Sequence, residues 1–211
     1  MNLIQRIQRF FNFTASQPES WFVEWVRGGS NTDSGVTVNG RTTMQYAPWW
    51  YGVNKICGHL AQLPVDLCEK TGPETNRKIE NHPSHWLINS QPNEAMTPSV
   101  FREVIQHHAL LWGNGRAAIY RNNRMEPDEL IPLAPDRTQS VIVNGEKWHI
   151  HTSETNQITK FRDNEVLHIC GFGYDGIQGY SLIEFARNSI GLGLAAEKHM
   201  NALWRSGNRA A

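Results

Sequence analysis

The chain has 211 residues, and its 20 Lys and Arg balance its 20 Asp and Glu, so the formal net charge is zero. This balance excludes a nucleic-acid binder that works by bulk positive charge, although a local basic stripe stays open. Apolar residues at 39% and aromatic residues at 10% exclude a wholly disordered chain. Three cysteines without a CxxC spacing exclude a disulfide framework. No run of about 18 apolar residues occurs, so no transmembrane helix is predicted.

The N-terminal part is predicted to hold a short amphipathic helix and a linker. Over residues 1–13, the apolar side chains of Leu3, Ile4, Ile7 and Phe10 recur at helical spacing. Such a helix packs on its own domain or on a neighbouring subunit, and two arginines are few for a membrane-surface role. Residues 27–41 are rich in Gly, Ser, Asn and Thr and are predicted to form a flexible linker.

Two helices are predicted next, each with a proline in its first turn. The first begins at Pro48 and ends at Leu63, before Pro64. Val65 to Leu67 alternates like a strand, and residues 71–76 are predicted to form a turn. The second helix has Thr97 as its N-cap and ends at the Gly-Asn-Gly sequence 113–115.

Short strands are predicted over residues 116–170. They are 118–120, 130–133, 141–143, 147–150 and 166–169, with an Asn-Gly hairpin turn at 144–145. A long helix then runs from Leu182 to Trp204, with Ser181 and Glu184 as a capping box. Helices grouped on either side of an antiparallel meander predict the α+β class. The predicted domains are an arm and linker at 1–41, an α+β body at 42–180 and the long helix at 181–211.

Residues 171–176 spell GxGxxG between a predicted strand and a predicted helix, a pattern that can hold the pyrophosphate of a dinucleotide. The helix begins about five residues too late for the third glycine to serve helix–strand packing. Glu197, near the spacing expected of a ribose-binding acid, falls inside the long helix. A turn that needs glycine conformations is the favoured interpretation, with dinucleotide binding as the alternative.

The histidines offer a second alternative, a zinc-binding module. His149 and His151 share one face of a strand, and His168 lies on a later strand. No HExxH motif, cysteine pair or carboxylate completes a ligand set. No GxSxG elbow is present either. Since none of the three patterns is complete, no catalytic, cofactor-binding or metal-binding residue is assigned and no enzyme is predicted.

One electrostatic feature of the last helix stands out. Arg187, Lys198 and Arg205 are separated by 11 and 7 residues. At 100° per residue, these cations lie within roughly 20° of one face. We call them the cation stripe. A solvated helix face is the commoner explanation of such a stripe, and the alternative is contact with DNA phosphates or with acidic residues of a neighbouring subunit.

Four ordered blocks carry a family resemblance. Their features are a helix running into Leu-Pro, a Met-Thr-capped helix followed by Gly-Asn-Gly, a Leu-x-Pro-Leu-x-Pro-Asp-Arg segment, and an Asp-Gly-Ile-x-Gly-x-Ser-Leu turn before a long helix. The blocks are 46–70, 82–123, 129–141 and 165–207. In this order they resemble the portal proteins of tailed bacteriophages, of the lambdoid and siphophage type. The chain looks like the N-terminal portion of such a protein.

The resemblance implies a structural, ring-forming protein of the virion. It implies a dodecameric homo-oligomer at the capsid vertex, assembled in the host cytoplasm, through which double-stranded DNA is packaged and ejected. The implied protein partners are terminase, the major capsid and scaffold proteins, and head-tail connector proteins, with no membrane. Nucleotide hydrolysis is left to the terminase. A ring of this kind needs head-to-tail contacts that close by rotation.

Overall fold

The computed structural model describes residues 30–173 and 176–207. The predicted helix at 1–13 lies outside these residues. The chain divides into two compact units, one comprising 1–43 with 187–211 and the other 44–186.

The smaller unit pairs a hairpin with a long helix. Strands β1 (Ser30–Asn31) and β2 (Thr37–Val38) are antiparallel, α1 spans Gly40–Thr43, and the C-terminal helix α6 spans Arg187–Arg205. From residue 30 onward the structure therefore differs from the predicted flexible linker. Two interactions order it: the Thr32 hydroxyl donates to the carbonyl oxygen of Val36 at 2.9 Å, and Gly191 of α6 packs directly against Thr32.

Three helices lie in the first half of the larger unit. These are α2 (Ala47–Gln62), α3 (Pro83–Asn89) and α4 (Pro98–Trp112). The Thr97 side chain accepts a hydrogen bond from the Val100 amide, and Gly113 ends α4 in the left-handed conformation, so both predicted ends of this helix are confirmed. The sequence patterns do not predict helix α3, because a segment of seven residues is too short to show a helical period.

Arg102 joins these three helices. Its Nε and Nη2 donate to the carbonyl oxygen of Ala61 at the end of α2, at 3.1 and 2.9 Å, and its Nη1 donates to the carbonyl oxygen of Ile88 in α3 at 3.2 Å. The end of α2 therefore lies beside the start of α4, as expected for two antiparallel helices.

Three antiparallel sheets complete this unit. In chain order the strands are β3 (Cys68–Lys70), β4 (Asn76–Lys78), β5 (Asn114–Arg121), β6 (Pro127–Pro132), β7 (Thr138–Val143), β8 (Glu146–Thr152), β9 (Ile158–Arg162) and β10 (Val166–Cys170). The sheets are β3-β4, β10-β5-β6 and β7-β8-β9. The predicted α+β class is confirmed. Residues 65–67, which are predicted to form a strand, lie just before the observed strand β3, and it is the residues of β3 that pair with β4.

Strand β5 lies between two core clusters of the described residues, because successive side chains point to opposite faces. Ala117 packs on the helical side with Leu87, Phe101 and Ile105. Ala118 packs on the other side in a cluster that includes Phe161 of β9. The even-numbered residues of β5 thus face the β7-β8-β9 sheet.

The predicted long helix at 182–204 is interrupted. Helix α5 (Leu182–Phe185) ends at Ala186, whose ψ of 5° leaves the helical range, and α6 begins at Arg187. The two segments bury different side chains in different units, Ile183 in the larger and Ile190 in the smaller. The side chains of α5 and α6 therefore do not need to follow one continuous helical period. Over the described ranges, no helix is long and apolar enough to cross a membrane.

Candidate functional site

Three glycines meet where α4, β10 and the segment before α5 converge. We call Gly113, Gly171 and Gly179 the glycine junction. The Gly171 amide donates to the Gly113 carbonyl oxygen at 2.8 Å, and a Cβ added at either Gly113 or Gly179 would collide with the other glycine's backbone. Gly113 also has a φ of +77°, which disfavours any side chain.

This geometry gives the GxGxxG pattern a packing role. A Cβ on Gly171 would lie 2.8 Å from the carbonyl oxygen of Ala109, and one on Gly173 would lie 2.5 Å from that of Gln178. The Gly171 amide is engaged within the protein, so it is not directed at a pyrophosphate. Strand β10 pairs antiparallel with β5, whereas a dinucleotide-binding βαβ unit needs parallel strands. The dinucleotide alternative receives no support from this arrangement.

Asn114 holds the junction together. Its Oδ1 accepts from the Gly179 amide at 3.1 Å, while its Nδ2 donates to the Gly179 carbonyl oxygen at 3.2 Å. One buried side chain at the start of β5 thus satisfies both backbone groups of a residue 65 positions later. The segment before α5 is fixed at its base by these bonds.

A hydrogen-bonded chain of side chains extends from Asn114 between the two larger sheets. Lys147 Nζ can only donate hydrogen bonds, so His168 Nδ1 accepts a hydrogen bond from it at 2.9 Å. The other ring nitrogen, His168 Nε2, therefore carries the proton and donates to Asn114 Oδ1 at 3.0 Å. Lys147 also forms an ion pair with Asp163 at 3.4 Å. The tautomer of His168 follows from its two partners.

The hydrogen bonds continue from Asp163 to Arg116, and their directions again follow from which groups can donate. Asp163 only accepts, so His149 Nε2 donates to it at 3.2 Å, and His149 Nδ1 accepts from the Ser140 hydroxyl at 2.9 Å. The Ser140 oxygen accepts from Arg116 Nε at 3.1 Å. The polar chain is therefore, in order, Arg116, Ser140, His149, Asp163, Lys147, His168 and Asn114.

Burial determines the charges in this chain. Desolvation lowers the pKa of Arg116 to about 10, that of His149 to about 4, and that of His168, with Arg116 adding repulsion, to about 3. Both imidazoles are neutral at pH 7, as their hydrogen bonds require. Arg116 keeps its charge, and within the described part of the chain its Nη2 has no hydrogen-bond partner.

The three histidines of the zinc alternative engage separate partners. The rings of His149 and His168 are 5.3 Å apart, centroid to centroid, but their nitrogens serve the polar chain. His151 Nδ1 instead lies 2.9 Å from the hydroxyl of Thr138. Residues 30–173 and 176–207 contain no group of three His, Cys, Asp or Glu placed to hold a metal.

The cation stripe lies on one helix, α6, as its spacing predicts. Arg187 is partly buried at the end of α6 that packs on the hairpin through Ile190 and Gly191, whereas Lys198 and Arg205 are exposed. The structure thus divides the stripe into one cation near the fold and two facing solvent.

The exposed apolar side chains of the larger unit include the following two groups. Phe172, Tyr180 and Phe185 form what we call the aromatic patch, in which the Tyr180 ring contacts Phe185 edge-on at 5.3 Å and lies 6.5 Å from Phe172. Ile56, Leu60 and Leu63 form the α2 ridge, with half or nearly half of each side chain exposed. Exposed apolar clusters of this kind characterise interaction surfaces.

Neither the polar chain nor the α2 ridge is predicted by the sequence patterns. The alternation of His149 and His151 was noted, but nothing local indicates that Arg116 and Ser140 face the first of them. In α2, the helical spacing of Trp49, Val53, Ile56 and Leu60 predicts one apolar stripe, but Val53 is buried whereas Ile56 and Leu60 are exposed. Periodicity does not distinguish an exposed stripe from a buried one.

Apart from Arg116 Nη2, the side chains of the polar chain form hydrogen bonds or ion pairs within the fold, and the surface of this α+β protein carries exposed apolar side chains and the exposed cations of α6. The sequence model of the family described as "Phage portal protein" matches residues 49–211. The chain belongs to the phage portal protein family, which confirms the resemblance seen in its sequence.

Comparisons with individual proteins agree with this family assignment. The chain is 27% identical over 175 residues to the portal protein of Enterobacteria phage HK97, covering 82% of this chain and 41% of that protein. The fold is similar to a chain in the neck of an empty gene transfer agent particle computed with C6 symmetry, with a TM-score of 0.68, 22% identity and coverage of 92% of this chain and 52% of the other.

A crystal structure of an HK97-family phage portal protein from Corynebacterium diphtheriae is also similar, with a TM-score of 0.55 and 15% identity. That match covers 82% of this chain and 51% of the other. The chain therefore spans about half the length, or somewhat less, of the proteins it matches.

Proposed function

We propose that this chain is part of a portal subunit that assembles into a closed ring at the capsid vertex of a virion. The match to the portal family over residues 49–211 carries the proposal. The two separate apolar surfaces of the larger unit support it, because a ring closed by rotation brings different faces of successive copies together. The dodecameric state and the assembly in the host cytoplasm are parts of the same proposal.

The proposed role is structural. DNA passes through the ring during packaging and ejection, while terminase, the major capsid and scaffold proteins, and head-tail connector proteins dock on it. The energy for DNA movement comes from the terminase, so the ring itself needs no catalytic residue. The zero net charge suits a conduit that must not retain a polyanion.

The cation stripe is proposed to face DNA through its two exposed members. On α6, the exposed apolar side chains of Leu192, Met200 and Trp204 lie roughly 140–260° around the helix from Arg187. Burying that face against protein would leave Lys198 and Arg205 on the opposite, open side. Arg187, closer to the fold, is proposed to position the helix.

Electron microscopy of the purified full-length protein, alone and with scaffold protein, tests the ring. We expect closed rings with a central channel. A protein that stays monomeric at high concentration in the presence of scaffold protein would contradict the proposal.

The salt dependence of double-stranded DNA binding tests the cation stripe. Lys198→Gln and Arg205→Gln should each reduce the slope of log affinity against log salt by about 1 for every copy in the ring that contacts DNA. Arg124→Gln, in the exposed turn between β5 and β6, is the matched control and should leave the slope unchanged. Loss of ring assembly with an unchanged slope would assign the stripe to subunit contact.

A further inference from the structure

One side of helix α6 is apolar and exposed. Leu192, Met200 and Trp204 are 66%, 47% and 71% exposed. At 100° per residue they lie at about 140°, 220° and 260° around the helix from Arg187. We call this side the α6 face. Large apolar side chains grouped on one side of a helix are costly in water, so the α6 face gains from being covered.

The β1-β2 hairpin covers a different side of the same helix. Ile190 and Gly191, the buried residues of α6, lie at about 300° and 40° from Arg187, almost opposite the α6 face. Gly191 packs directly against Thr32 of the hairpin. The described residues of the smaller unit, 30–43 and 187–207, therefore leave the α6 face open.

The N-terminal segment, residues 1–29, offers apolar side chains that fit such a surface. Its predicted amphipathic helix places Leu3, Ile4, Ile7 and Phe10 on one side. A second apolar group precedes the hairpin and consists of Trp21, Phe22, Val23, Trp25 and Val26. The segment and the α6 face each carry apolar side chains, and burying these against each other removes both from water.

The start of the described chain brings the N-terminal segment to α6. Strand β1 begins at Ser30, and Thr32, two residues later, already contacts the first turns of α6. The 19 residues of α6 extend over about 28 Å. Residues 14–29 can span up to about 50 Å when extended, so the predicted helix at 1–13 can reach any point along α6. Residues 1–43 and α6 also belong to the same compact unit.

Charge favours the α6 face as the place where this segment packs. Residues 1–13 carry Arg6 and Arg9 and no Asp or Glu. Glu197 is the one acidic residue of α6, and it lies at about 280°, beside Trp204 at the edge of the α6 face. Lys198, at about 20°, lies on the far side and would repel the segment.

The α2 ridge, an alternative apolar surface, differs in both respects. Helix α2 has no Asp or Glu and carries Lys55 among its exposed residues, so it offers the two arginines no opposite charge. It also belongs to the other compact unit, 44–186. Location and charge therefore both select the α6 face.

We propose that the N-terminal segment covers the α6 face of its own chain, with the apolar side of residues 1–13 packed on Leu192, Met200 and Trp204. The contact places protein on the side of α6 opposite Lys198 and Arg205. It thereby determines which side of the helix stays open. This packing does not require the ring, whereas its consequence for DNA contact rests on the proposed function.

Photo-crosslinking in the full-length protein tests the proposal directly. The benzophenone amino acid p-benzoylphenylalanine replaces Trp204, and equal amounts of nitrogen-14 and nitrogen-15 protein are mixed before irradiation. We expect crosslinked peptides of a single isotope that join position 204 to residues 1–29. The same amino acid at Lys198, on the opposite side, is the control and should give no crosslink to residues 1–29.

Three results of this experiment would overturn the proposal. They are crosslinks of mixed isotope content, which would assign the α6 face to another copy, crosslinks from position 204 that reach only residues beyond 29, and the absence of any crosslink.

Hydrogen exchange supplies an independent measurement. Leu192→Ser and Trp204→Ser should each raise the exchange rates of the amides of residues 3–11 at least tenfold. The exchange of residues 44–186 should not change, because both altered side chains are exposed and lie in the other unit. Ile142→Ser, at an exposed apolar position on β7, is the control and should leave residues 3–11 unaffected. Unchanged exchange of residues 3–11 in both α6 variants would contradict the packing.

This proposal and the proposed ring fail in different ways. Absence of rings from a protein in which position 204 crosslinks to residues 1–29 contradicts only the ring. Normal rings in which position 204 crosslinks elsewhere contradict only the covering of the α6 face.

Discussion

Gly113 and Gly179 are positions where one methyl group has no room. Gly179→Ala should lower the free energy of unfolding by more than about 3 kcal/mol or prevent folding, because the added Cβ meets the backbone of Gly113 and Gly171. Gly58→Ala is the matched control, since nothing lies within 4 Å of its Cβ position inside α2. It should raise stability by about 0.5–1 kcal/mol, measured by urea unfolding. Equal effects of the two substitutions would contradict the glycine junction.

His149 predicts a loss of stability in mild acid. Burial lowers the pKa of His149 from 6.5 to about 4, so between these values the unfolded chain binds a proton that the folded chain does not. The free energy of unfolding should therefore fall as the pH drops from 6.5 to 4, by up to about 3 kcal/mol from this residue. Urea unfolding across this range provides the measurement.

The contribution of His149 is isolated by substitution. His149→Gln should be less stable at pH 7 and should show a flatter profile from pH 6.5 to 4. His59→Gln replaces an exposed imidazole in α2, outside the polar chain, and serves as the control. A His149→Gln profile parallel to that of the unaltered protein would refute the assignment.

At the scale of elements, Arg102 is the connection between three helices. Arg102→Lys should cost roughly 1–2 kcal/mol of stability, because an ammonium group cannot reach the carbonyl oxygens of Ala61 and Ile88 with the geometry of the guanidinium fork. Arg124→Lys, in an exposed turn, should change stability by less than about 0.5 kcal/mol. Thermal and urea unfolding distinguish the two, and equal small changes would show that Arg102 does not join the helices.

Helices and turns are predictable from the sequence where the residues that determine them lie within the element itself. The helix Pro98–Trp112 carries its cap, its first-turn proline and its terminal glycine in its own sequence. The Asn144-Gly145 turn has positive φ at both residues, as its dipeptide predicts. The break at Ala186 is not predictable from the local sequence, because no proline or glycine stands at that position and alanine favours a helix.

For the whole molecule, the division into units predicts a fragment that folds alone. Residues 44–186 contain both core clusters and the complete polar chain. This fragment should show a single cooperative urea transition and a well-dispersed NMR spectrum. A fragment that lacks a cooperative transition would show that residues of the other unit are needed to complete the core.

By itself, the sequence determined the α+β class, most helices and strands, and membership of the portal family. The reason is that periodicity, caps, turn dipeptides and ordered motifs are all features of short stretches of chain. Only the tertiary structure decided the roles of particular residues. It joined Arg116 to Ser140 across 24 positions and Asn114 to Gly179 across 65. It also showed that Gly171 and Gly173 of the GxGxxG pattern accommodate neighbouring backbone, and that the α2 ridge is exposed rather than buried. Each of these depends on which distant segments meet, and local patterns do not encode that.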